Sequence, residues 1–99
     1  MTPDEPGCDL FVDAADQDAV LALLAAHLGV EPVFSFVSPP GFDVSVSRNP
    51  LAEPADPDDF VSWPTLVAVS ARPGQDLADF VAGLTTALRT AGHRTVAVE

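Results

Sequence analysis

Residues 42–47 read Phe-Asp-Val-Ser-Val-Ser, which puts Phe42, Val44 and Val46 on one face of an extended chain and Asp43, Ser45 and Ser47 on the other. That alternation describes a strand with one face on a core and one in water. Residues 33–38, Val-Phe-Ser-Phe-Val-Ser, alternate in the same way, with Phe34 and Phe36 sharing a face. Between them Ser38-Pro39-Pro40-Gly41 suits a turn longer than the tight two-residue kind. The pattern predicts a hairpin over 33–48.

Two stretches follow helical spacing instead. Over 16–28, Val20, Leu21, Leu24 and Leu28 make one apolar face, and alanines with high helix propensity fill much of the rest. Asp13 or Asp16 can cap the start, Gly29 suits the left-handed position after the end, and Pro32 forbids continuation. Over 76–91, Leu77, Phe80, Val81, Leu84 and Leu88 form the stripe. Asp76 and Asp79 have capping-box spacing, and Gly92 closes the helix. Gly83 within it costs about 1 kcal/mol against alanine, so close packing is expected to require it.

Strands are predicted at 9–13, at 65–71 and at 95–98. The nearly unbroken apolar run 65–71 suggests a central place in the sheet. Residues 49–62 break every pattern with Pro50, Pro54 and Pro57 among Glu53, Asp56, Asp58 and Asp59, so a long loop is expected, with a helical turn starting at Pro57. The order β-α-β-β-β-α-β predicts an α+β fold. It is a two-layer sandwich, a mostly antiparallel sheet with two helices on one face, ferredoxin-like in style. Residues 1–7 are expected to form a flexible N-terminal arm and 8–99 a single domain.

Composition changes the picture in one respect. Four arginines, with no lysine, face fifteen acids, for a net charge of −11. Phosphate recognition needs basic side chains, so this balance argues against nucleic-acid binding. The acidity serves solubility through self-repulsion, or it complements a basic partner. No apolar run approaches the ~18 residues of a membrane span. The N-terminal residues lack the positive and apolar regions of a secretory signal. A lone cysteine, Cys8, forms no internal disulfide, and a cytoplasmic location is expected.

Catalytic chemistry finds little purchase. His27 and His93 stand at helix C-terminal ends, where a protonated imidazole meets the negative end of the helix dipole. Cys8 reads as a small hydrophobe at a strand start. Asp56, Asp58 and Asp59 supply oxygen ligands but not the spacing of a calcium loop, and no cysteine–histidine set suggests zinc. No catalytic residue, metal or cofactor is therefore predicted. Phe60 and Trp63 stand beside those three acids, and aromatic anchors next to charge are the makings of a recognition patch. The competing reading folds both rings down over the sheet. The candidate partner-binding residues are Asp56, Asp58, Asp59, Phe60 and Trp63. Arg48 is placed to pair with a loop acid.

Three segments carry a resemblance: Val-Ser-Val-Ser-Arg-Asn-Pro at 44–50, the acidic passage through Asp59-Phe60-Val61, and Leu-Arg-Thr-Ala-Gly-His-Arg-Thr-Val-Ala at 88–97. In these the chain resembles a group of small acidic actinobacterial proteins, largely uncharacterised, some of them similar to immunity proteins that neutralise a cognate toxin. The resemblance implies a non-enzymatic protein-binding module, an immunity-like inhibitor of a basic protein partner. The alternative is a small-ligand-binding or enzymatic domain, dimeric through its sheet face as ferredoxin-like sheets often are. An accessory subunit is a third reading.

Overall fold

The structure is a computed structural model that describes residues 7–50 and 60–98. In chain order its elements are β1 (Gly7–Val12), α1 (Gln17–Leu28), β2 (Phe36–Val37), β3 (Phe42–Arg48), a single 3-10 turn (Phe60–Ser62), β4 (Thr65–Ala71), α2 (Leu77–Thr90) and β5 (Thr95–Val98). The five strands form one sheet in the order β2-β3-β4-β1-β5, and every neighbouring pair is antiparallel. The chain is α+β, with two helices and an open antiparallel sheet. The continuous apolar run at 65–71 becomes β4, the middle strand, as its pattern predicts.

Each helix begins and ends where its chemistry demands. The Asp16 carboxylate accepts from the N–H groups of Asp18 (3.0 Å) and Ala19 (3.2 Å), satisfying donors that the first turn leaves without partners. Gly29 ends α1 at φ 68°, in the left-handed region. Asp76 caps α2 through the Asp79 N–H at 3.1 Å. Gly92, at φ 94°, lets the His93 N–H turn back to Leu88 O at 3.0 Å.

The helices pack on each other and bury one face of the sheet. Leu10 and Val12 of β1, Val44 and Val46 of β3, and Val67 and Val69 of β4 meet Val20 and Leu24 of α1 and Val81, Leu84 and Leu88 of α2. Full burial of a leucine or valine contributes about 1.5–3 kcal/mol. Phe42 stacks on Phe80 with ring centroids 3.8 Å apart, joining the start of β3 to α2. The expected faces of β3 therefore hold: Val44 and Val46 lie in the core while Asp43 and Ser47 are exposed.

Three expectations need correction. The first arm of the hairpin is not an extended strand. Val33 and Phe36 close a two-residue turn, Val33 N–H to Phe36 O at 2.8 Å and Phe36 N–H to Val33 O at 2.9 Å. Only Phe36 and Val37 then pair with β3, so Phe34 and Phe36 do not share a strand face. The seven residues between Leu28 and Phe36 must descend from the helix layer to the sheet edge, and the chain reverses as it arrives. Second, packing does not require Gly83. A Cβ there would meet His27 Nε2 at 3.8 Å, an ordinary van der Waals contact. Third, β1 begins at Gly7, so that residue belongs to the sheet rather than to an arm.

Candidate functional site

Asn49, directly after β3, is hydrogen-bonded to the two residues directly before β4. Its backbone N–H donates to Pro64 O at 2.9 Å, and its side-chain amide donates to Trp63 O at 2.7 Å. Asn49 is buried, so these bonds satisfy groups that would otherwise lose water without replacement. The side chain thus copies a strand-to-strand contact at the point where the strands part.

Trp63 is one of the two residues so held. The residue is 7 % exposed, and the guanidinium carbon of Arg94 lies 4.9 Å from the ring centroid. That distance suits a cation–π interaction, favourable because the face of the indole is electron-rich. Arg94 is held in turn by Asp13, whose Oδ2 accepts from Nε at 2.9 Å and also from Nη2. Asp13 follows β1 and Arg94 precedes β5, and the Asp13 N–H donates to Arg94 O at 2.9 Å. The ends of two neighbouring strands therefore fix the cation over the ring.

Phe60 is half-buried. Its ring meets Phe11 of β1 edge-on at 5.5 Å and Trp63 edge-on at 6.5 Å. Phe11 alternates with the core residues of β1, so Phe60 packs on the sheet face away from the helices. Both rings thus cover the end of the sheet, the second of the two roles their position suggested. The indole anchors the loop and offers little of itself to a partner. Asp56, Asp58 and Asp59 lie outside the described residues, as does the helical turn expected at Pro57 and the acids to which Arg48 was matched. The 3-10 turn at Phe60–Ser62 lies just beyond them.

An open cleft of about 420 Å³ lies beside this cluster, lined by Trp63, Arg89, Gly92, His93, Arg94 and Thr95. Arg89 Nη2 donates to Thr95 O at 2.8 Å, which turns the side chain back over the start of β5. Cys8 lines a separate groove beside α2, together with Thr85 and Ala97, and so stands apart from His93. The sequence offers Asp13 as a helix cap and Arg94 beside His93 as a pocket residue, but signals neither their pairing nor the role of Asn49. Asp13 and Arg94 are 81 residues apart, and only the β1–β5 pairing brings them together. Asn49 stands directly after a strand and before proline, but asparagine is mostly exposed in folded proteins, so nothing local signalled its burial.

The chain matches no family model, no curated protein and no solved structure. The functional reading therefore rests on its own residues.

Proposed function

We propose that the chain is a non-enzymatic protein-binding module whose partner is basic, in the manner of an immunity-like inhibitor. The observation that carries this reading is the charge. Four arginines stand against fifteen acids, and two of the four already serve acids of the chain itself, Arg94 with Asp13 and Arg72 with Asp43 at 3.7 Å. The remaining acids give a negative field that steers a cationic partner and raises its association rate. Asp56, Asp58 and Asp59 concentrate that charge within four residues of sequence, between Asn49 and Trp63, which are hydrogen-bonded to each other.

Affinity capture from native lysate at low and at high salt tests the proposal. One basic protein should be retained by the wild type and lost by the combined Asp56→Asn, Asp58→Asn and Asp59→Asn variant. Absence of specific retention at both salt concentrations would sink it.

The sheet supports a finer reading of the fold. The connection β1-α1-β3 leaves β4 between its strands, and β4-α2-β5 leaves β1 between its own. Two such split β-α-β units make a ferredoxin-like core, with β2 added at one edge. A second functional reading, a small-ligand site, draws on the cleft that brings Arg89, His93 and Arg94 together, a set suited to an anion. Titration with inorganic phosphate, read by the fluorescence of Trp63, separates it from the first. No change at millimolar phosphate would remove its support.

A further inference from the structure

Both helices pack on one face of the sheet, against Leu10, Val44 and Val67 among others. The alternate residues of each strand point to the opposite face. There the strand registers align one row across the whole sheet. Val33 bridges to Phe36, Phe36 pairs with Ser45, Ser45 with Ala68, Ala68 with Asp9, and Asp9 with Val98. In this row Val33, Phe36 and Val98 are 63 %, 52 % and 40 % exposed. The fourth large apolar residue exposed among the described residues is Phe34, at 93 %, which follows Val33 at the end of the row. The exposed apolar surface is thus gathered along the face that carries no helix.

The backbone of Phe34 makes its placement more unusual. Phe34 has φ 54° and is the one residue other than glycine with positive φ among the described residues. It holds the first central position of the turn closed by Val33 and Phe36, where glycine is the ordinary occupant. Neither the turn nor the core explains phenylalanine at this position, so its use lies outside the single chain.

Charge is sparse on the same face. The strand acids that point to it are Asp9 and Asp43, and Asp43 is matched by Arg72. Arg48 alternates with Val44 and Val46, toward the helix side. Asp16, Asp18, Asp76 and Asp79 belong to the starts of the two helices, in the other layer. A chain of net charge −11 therefore presents a sheet face with one unmatched acid, and depletion of charge is what marks the centre of an interface. One acid is too little to select a cationic partner.

We propose that this face is the contact surface for a second copy of the chain, in a two-fold symmetric dimer. The row is self-complementary. Ala68 stands on the middle strand, Ser45 and Asp9 one strand away on either side, and Phe36 and Val98 two strands away. A half turn about an axis along β4 lays Phe36 of one copy over Val98 of the other. It sets the Ser45 hydroxyl, a donor, against the Asp9 carboxylate, an acceptor. Alanine meets alanine at the axis, where small side chains permit close approach. Val33 and Phe34 then overhang the open edge of the other copy's β5. The helix-borne acids of the two copies end roughly 30 Å apart, with layers about 10 Å thick, which is several Debye lengths at physiological salt. Five strands about 4.8 Å apart and six or seven residues long make a face of about 24 by 20 Å, so two copies bury on the order of 1,000 Å². That is near the lower bound for a specific interface, and the dimer is weak, micromolar or above.

Sedimentation equilibrium tests it, from micromolar to about 1 mM protein, in low and in high salt. The wild type should dimerise, and more tightly in high salt, because screening removes repulsion between two chains of −11 while the apolar contact remains. Ala68→Asp places two carboxylates at the axis and should leave only monomer. Phe34→Gly should weaken the dimer roughly tenfold. Ser45→Lys, opposite Asp9, should tighten it roughly fivefold, and adding Asp9→Asn should remove that gain, a result that misfolding does not mimic. Near-ultraviolet circular dichroism checks that each variant keeps the native fold. A wild type that stays monomeric throughout would overturn the proposal. So would a dimer that loosens in high salt, one that folded Ala68→Asp leaves intact, or one that Ser45→Lys does not tighten. Each of these results leaves the basic-partner reading standing, because lysate capture tests that separately.

Discussion

Trp63 and Phe34 are both aromatic residues beside a loop, and the fold treats them oppositely. Trp63 is buried, its face is covered by Arg94, and its carbonyl is held by Asn49. Phe34 is almost wholly exposed and sits in a backbone conformation that disfavours its side chain. The difference lies in what surrounds each position. Residue 63 lies where the ends of β1, β3 and β5 converge around the start of β4, so elements distant in sequence supply its partners. Residue 34 lies beyond the last strand, at the tip of a turn with only β3 on one side. Nearby acids thus fail to mark which aromatic is buried; the available neighbours decide.

Removing the indole should have the largest effect. Trp63→Ala is expected to destabilise the chain by about 3–5 kcal/mol, as large aromatic truncations in cores do, measured by urea unfolding followed by circular dichroism. A loss below ~1 kcal/mol would erase the contrast. Asn49→Ala should cost about 1–3 kcal/mol, because buried backbone groups of Trp63 and Pro64 lose their fixed partner or its geometry. The same unfolding measurement decides it, and an unchanged midpoint would mean that the strand ends hold together without Asn49. Asp13→Asn releases Arg94 from a pair in which both side chains are a third or more exposed, so only about 0.5 kcal/mol is expected. Its clearer sign is optical. Trp63 is the single tryptophan, so wild-type emission should be blue-shifted and poorly quenched by acrylamide, and Asp13→Asn should raise the quenching. Full quenching in the wild type would contradict the burial on which the comparison rests.

The fold was legible where pattern and chemistry agreed. The stripe Leu77–Phe80–Val81–Leu84–Leu88 with Asp76 before it and Gly92 after it placed α2 to within a residue. The run at 65–71 identified the central strand, and Phe42–Val44–Val46 gave the right face. Residues 33–38 misled because their alternation matches that of 42–47. Periodicity reports which side chains would share a face if the chain were extended, and says nothing about whether a partner strand is there to keep it so. The candidate site was legible only in part. The acidic loop and its aromatics stood out as composition, but the burial of Trp63 depends on Arg94 and Asp13, and no local pattern links residues so far apart. The alternation makes Phe34 one more strand residue, and its exposure follows from the turn that overrides that alternation.

The most direct measurement is the stability of the Phe34→Gly chain relative to wild type by urea unfolding. Glycine relieves about 1–2 kcal/mol of strain at positive φ and adds about 0.4–1 kcal/mol of unfolded-state entropy. The expected result is therefore an unchanged slope, with stability equal to wild type or higher by up to ~1 kcal/mol. A loss of more than about 1.5 kcal/mol would show that the ring serves the fold after all, and would contradict its assignment to a partner.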